Sequence, residues 1–218
     1  MEEKNMKVNM TDIITTGVAS AIGCIPVCGS GIAELIHLVI PNQRQDRIVK
    51  YIEDLNERLK KLNCTVESLK NKFTNYKYGV FTYDCIRSVV NEAYDEKIEY
   101  YKNICAKGIM GEEKEVEEAR KILKILEQID YSEILFLEKY YYTKHLDRKK
   151  LAEIDQKLNI TFPDIKREKT KEEKRIDLFN QVSKNNLLKQ MLIQRSEKTH
   201  ENEITDLGEL LLKEMELI

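Results

Sequence analysis

Apolar positions along this chain recur at steps of three and four, with charged residues between them, almost from end to end. That is the period of helices that bury one face. From Pro41 to Asn63, Ile48, Ile52, Leu55, Leu59 and Leu62 form a heptad seam suited to one partner helix. Thr65 is placed to cap a helix with Val66, Leu69, Phe73 and Tyr76 on one side. A further helix, or a pair, carries Val80, Phe81, Ile86, Val89, Val90, Tyr94, Ile98 and Tyr101 through to Ile104. Gly108 and Gly111 interrupt the pattern, and Glu112 to Gln128 then turns Val116, Ala119, Ile122, Leu123 and Leu126 inward.

Two regions depart from that pattern. Residues 1–10 mix charges without a sustained apolar face and read as a flexible N-terminus. Ile13 to Ala33, "IITTGVASAIGCIPVCGSGIA", holds no charge at all. Thr11 or Asp12 can cap a first helix, Pro26 interrupts it, Gly29 and Gly31 permit a reversal, and "IAELIHLVI" forms a second helix before Pro41. Residues 13–40 are therefore expected as an apolar helical hairpin opening a bundle over 11–110.

Three fates are open to that hairpin. As a straight spanning helix it is weakened by Thr15, Thr16, Ser20, Ser30 and Pro26, and by Glu34 and His37 just beyond. It can be buried in the bundle. It can also be held buried or oligomerised and insert into a membrane on activation, a role favoured by Gly17, Ala21 and Gly23, which allow close helix contact, with Pro26, Gly29 and Gly31 shaping the reversal.

From residue 112 to 218 the grammar changes. Ser132 sits where a cap belongs before "EILFLEKYYYTK", and Asp147 does the same before "RKKLAEIDQKLNI". The charged stretch "DIKREKTKEEKR" follows and reads as a solvated loop or helix end. A helix with Leu187, Leu188 and Met191 then runs into "LIQRS", a polar turn "EKTHEN", "EIT", and a closing helix with Leu207, Leu210, Leu211 and Met215. Thr205 can cap that last helix, with Asp206 and Glu209 in its first turn. The fold class expected is all-α or nearly so, with one small β-hairpin.

Residues 187–215, "LLKQMLIQRSEKTHENEITDLGELLLKEM", resemble the recognition-helix, wing and closing-helix region of winged helix-turn-helix domains, with Ile204, Thr205, Asp206, Leu207 and Gly208 matching the return from the wing. The resemblance implies a fold more than a function, since such domains bind DNA, bind protein or dimerise. If DNA were bound, Lys184, Asn185, Lys189 and Arg195 are the side chains to reach it. The junction Ile40-Pro41-Asn42-Gln43-Arg44, between an apolar hairpin and a charged helix, is similar to the start of uncharacterised bacterial helical proteins associated with phage-defence neighbourhoods. That likeness implies a bacterial or phage source and a defence or stress role.

Charge alters this picture only locally. Overall, 36 Lys and Arg against 38 Asp and Glu leave −2, which offers no global attraction to nucleic acid or anionic lipid. From Lys139 to Arg195 the count is 15 cations against 8 carboxylates, a net of +7, while Ser196 to Ile218 has 2 against 7, a net of −5. A wing carrying Glu197, Glu201 and Glu203 would be repelled by phosphate, softened by Arg195 and Lys198.

Chemistry is sparse. Five cysteines without a Cys-x-x-Cys pair, and no cleavable signal sequence, fit a reducing cytosol. The localisation expected is cytoplasmic, or peripheral to the inner face of the cell membrane. His37, His145 and His200 lie in separate segments, and no phosphate loop, nucleophile elbow or dinucleotide cradle is present. Glu34 and His37 form half of a carboxylate metal site without a credible second half. No enzyme, cofactor, metal or small-molecule substrate is expected. The sequence points to a non-enzymatic interaction protein with a protein partner or a homo-oligomer, and alternatively to a DNA-binding regulator.

Overall fold

The computed structural model describes residues 45–158, 170–197 and 200–218. The expected flexible N-terminus, the hairpin at 13–40 with Gly17, Ala21, Gly23, Pro26, Gly29 and Gly31, and residues 164–169 of the "DIKREKTKEEKR" stretch lie outside the described residues. Among the described residues nine helices and one two-stranded antiparallel sheet form the chain, and no helix is long and apolar enough to cross a membrane. The chain divides into two compact units between Leu123 and Lys124.

The first unit contains α1 (Gln45–Lys61), α2 (Val66–Phe73), α3 (Tyr76–Asn91), α4 (Asp95–Met110) and the start of α5 (Glu113–Glu127). The boundary expected near residue 111 falls in the turn before α5, whereas the division between units falls within that helix. Helices α3 and α4 pack as a pair and α1 lies against both. The heptad seam of α1 is buried at Ile48, Ile52, Leu55 and Leu59. Leu62 is an exception: it follows the helix end, beside Asn63 at φ 58°, and is exposed. Thr65 caps α2 by accepting from Ser68 N. Tyr76 does not share the buried side of Leu69 and Phe73, because it begins α3, where it is exposed; Val80 and Tyr94 are likewise exposed.

Two polar devices fix the ends of the α3–α4 pair. Lys72 Nζ donates to the carbonyls of Met110 (2.9 Å) and Gly111 (2.6 Å), and the Tyr78 hydroxyl donates to Gly111 O at 3.0 Å, so the C-terminus of α4 is closed by a cation. At the opposite end the buried ammonium of Lys97 lies 3.0 Å from Glu92 Oε2, and Glu92 Oε1 accepts from the amides of Ala93 (2.8 Å) and Tyr94 (3.1 Å). Arg47 Nη1 donates to the Glu92 carbonyl, tying α1 to the same corner.

The second unit is organised around α6 (Tyr131–Lys144). Packed on it are α7 (Arg148–Lys157), α8 (Lys171–Lys189), the strand β2 (Asn202–Ile204) and the closing helix α9 (Asp206–Glu214). The cap of α6 is Asp130 rather than Ser132: Asp130 Oδ1 accepts from Glu133 N while Glu133 Oε2 accepts from Asp130 N, a reciprocal pair that Ser132 cannot make because Leu135 stands three residues after it; the Ser132 hydroxyl donates to Asp130. Asp147 caps α7 as expected. Strand β1 (Ile193–Arg195) pairs with β2 in the register Ile193↔Ile204, Gln194↔Glu203, Arg195↔Asn202. Met191, expected within the helix that carries Leu187 and Leu188, sits in the turn beyond it at φ 57° and is exposed, and Leu210 is exposed where Leu212 is buried.

Thr205 joins the hairpin to α9. Its Oγ1 accepts from Gly208 N at 3.1 Å and donates towards Met191 O at 2.8 Å, so one hydroxyl both caps the helix and holds the turn before β1. Thr205→Val keeps the shape and removes both bonds. It is expected to lower stability by about 1–2 kcal/mol in urea-induced unfolding.

Candidate interaction surface

Helix α8 begins with a complete capping box: Thr170 Oγ1 accepts from Glu173 N at 3.2 Å, and Glu173 Oε2 accepts from Thr170 N at 2.7 Å. Its inward side is fastened to α6 largely by polar groups. Asn186 Nδ2 donates to both carboxylate oxygens of the buried Glu133 (2.9 and 3.0 Å) and towards Gln128 O (3.2 Å). The Ser132 and Ser183 hydroxyls are 3.4 Å apart. Leu187 is the apolar centre of this contact and is fully buried.

The outward side is inverted. Leu178 is 64%, Phe179 58% and Val182 57% exposed, on adjacent turns of one helix. One and two turns from Leu178 and Val182 stand Lys171, Lys174, Arg175, Gln181, Asn185 and Lys189, with no carboxylate at any of those spacings. The Arg175 guanidinium lies 5.7 Å over the Phe179 ring, which shields one edge of the patch. No ion pair is formed by Lys171, Lys174, Arg175 or Lys189 among the described residues.

Sequence-predicted DNA contacts fall in two places. Asn185 and Lys189 lie one turn apart and are exposed on the outward side, where Asn185 Oδ1 accepts from Gln181 Nε2 at 3.1 Å. Lys184 is turned about 100° away, half-buried with its ammonium 5.7 Å over the Phe136 ring. Arg195 is exposed at the end of β1 and donates Nε to His200 O at 3.2 Å across the hairpin turn. Lys184 and Arg195 instead line a common cleft of about 770 Å³, between α6, α8 and the hairpin, with Phe136 and Tyr140 among its walls.

That cleft is electrically mixed, because Asp177 and Glu201 line it alongside Lys184 and Arg195. Lys139 on its rim is held by Asp155 at 2.5 Å. Burial pushes the Tyr140 hydroxyl above its usual range, partly offset by a hydrogen bond with Asn202, so it stays a neutral donor. Burial likewise raises Glu138 on α6, against the pull of Lys157 and Lys150. Among the described residues no group of three or more His, Cys, Asp or Glu could hold a metal ion.

Comparison with protein-family models, with curated proteins and with solved structures finds no match to this chain.

Proposed function

We propose that this chain is a non-enzymatic interaction protein of bacterial or phage type that works by association with protein. The observation that carries this reading is the inversion of α8, which turns Ser183 and Asn186 inward and leaves Leu178, Phe179 and Val182 more than half exposed. Apolar side chains concentrated on one face, with cations around them, lose free energy when a partner covers them. The apolar hairpin at 13–40, uncharged from Ile13 to Ala33, supports a second, oligomerising or conditionally membrane-active element, with Gly17 and Ala21 at the helix contact. The Ile40–Arg44 junction supports placing this association in a defence or stress response.

Light scattering on the full chain tests the reading. A mass at least twice that of one 25.6 kDa copy, or a stable complex with a partner, is expected. Leu178→Glu should reduce it without altering helical content, because the side chain contributes nothing to the core. A single-copy mass at every concentration, with no partner bound, contradicts the reading. Insertion of the hairpin predicts membrane toxicity on expression that Gly17→Asp or Ala21→Asp abolishes.

One observation favours a DNA-binding second reading. The helix–hairpin–helix order with the Thr205 cap and Gly208 is what supports the winged-helix likeness, and the outward side of α8 offers Lys174, Gln181, Asn185 and Lys189, with Asp177 one turn from the first two. Binding of this kind falls steeply with salt and is lost on changing Lys174 and Lys189 to Glu.

A further inference from the structure

We propose that the occupant of the outward face of α8 is the closing helix α9 of a second copy of this chain, an inference that rests on the association reading above. The geometry of α9 supplies the complement. Gly208, Leu211, Leu212 and Met215 are buried, so the opposite side of the helix carries Asp206, Leu210 and Glu214, each four residues from the next and about 6 Å apart along the axis, with the exposed Lys213 beside the row. Leu210 is 45% exposed at the centre of that row. On α8, Lys174, Leu178 and Val182 have the same four-residue spacing, with Arg175 beside them and Lys189 beyond.

Laid together, Leu210 of one copy enters between Leu178 and Val182 of the other, and the carboxylates on either side of it meet cations of α8. The neighbourhood agrees in sign: Ser196 to Ile218 carries 7 carboxylates against 2 lysines, whereas Lys139 to Arg195 carries 15 cations against 8 carboxylates. Pairing α8 with α8 would instead bring together Lys171, Lys174, Arg175 and Lys189 of both copies, an arrangement that like-charge repulsion opposes. Duplex DNA satisfies the cations but leaves three apolar side chains against phosphate and water. The contact joins two different helices, so it occurs twice in a two-fold dimer or, where the rotation differs, runs head to tail into a ring or an extended assembly.

The test uses two full-chain variants on opposite surfaces, Val182→Glu and Leu210→Lys, each at an exposed helical position and each checked for unchanged helical circular dichroism. Either alone should weaken self-association at least tenfold, because each places a like charge against its counterpart. Mixed in equal amounts, they should associate again, since the α9 of the Val182→Glu copy and the α8 of the Leu210→Lys copy are both intact. Added salt should weaken the wild-type contact.

Wild-type self-association unchanged by both variants overturns this inference while leaving the association reading standing on another surface. A wild-type chain that stays a single copy at all concentrations overturns the inference, and partner capture then decides the reading separately. Loss of association in Val182→Glu alone, with Leu210→Lys unaffected, means that a surface other than α9 covers α8 and sinks the α8–α9 contact. Salt-sensitive binding of wild type to duplex DNA, abolished by Val182→Glu and unaccompanied by self-association, assigns the face to nucleic acid instead.

Discussion

Replacing Gly208 by alanine should destabilise the C-terminal unit by about 2 kcal/mol or more, against a gain of at most about 1 kcal/mol from the better helix former. A Cβ at this position would stand 2.4 Å from Leu192 O, 2.8 Å from Ile204 Cγ1 and 3.1 Å from Leu137 Cδ1. The first of these is a backbone oxygen that cannot rotate away. It is also the acceptor for Thr205 N at 3.1 Å and lies 3.1 Å from Thr205 Oγ1, so moving it strains the junction of hairpin and helix. The absence of a side chain at Gly208 is what lets α9 lie directly on the turn before β1. For a unit of this size the loss corresponds to a fall in melting temperature of about 10 °C or more, read by thermal denaturation. A stabilised Gly208→Ala protein would show that α9 does not pack there.

Lys97→Met is the second large effect, about 3 kcal/mol in the N-terminal unit, because it leaves the Glu92 carboxylate in a buried corner without its cation. The pH dependence identifies the cause. Burial pushes the Glu92 carboxyl up, but the Lys97 ammonium and the amides of Tyr94 and Ala93 outweigh it and hold the carboxyl below its usual value near 4.5. A carboxyl depressed by folding contributes stability above its unfolded value, and that stability is lost as pH falls through the folded value. Wild type should therefore lose stability as pH drops below about 4.5. In Lys97→Met the cation is gone and burial still opposes charge, so the acid branch of the stability profile should flatten. The exposed Lys77–Glu113 pair, at 2.6 Å, adds a small contribution of the same sign in both proteins and cancels in the comparison. An equally steep acid branch in the variant would remove Glu92 and Lys97 from the explanation.

The helical pattern itself was legible because it is periodic: Ile48, Ile52, Leu55 and Leu59 are spaced for one face, and that face is buried. Legibility failed where periodicity ends. Leu62 continues the heptad on paper, but the helix stops at Lys61, and Asn63 at positive φ turns the chain out. Ser132 and Asp130 are both good caps, and the signal separating them is Glu133, three residues after Asp130, which completes a reciprocal pair only with the aspartate. Lys97 sits in "DEKIEY", where any lysine reads as solvated; its burial depends on Glu92, which reaches it across the turn between α3 and α4. Helix α8 has apolar residues on more than one side, so its buried face could not be chosen from spacing. Glu133 decided it by drawing Asn186 inward, which sent Leu178 and Val182 out. The apolar hairpin at 13–40, the clearest feature of the sequence, lies outside the described residues.

The central claim is that a second copy of this chain covers the outward face of α8, and hydroxyl-radical labelling of the full chain across a hundredfold range of concentration tests it most directly. Leu178, Phe179 and Val182 should lose labelling as concentration rises, with Leu210 falling in parallel, while Leu146, 82% exposed in the turn between α6 and α7, keeps its labelling. Labelling of Leu178, Phe179 and Val182 that stays constant relative to Leu146 at every concentration would contradict the claim.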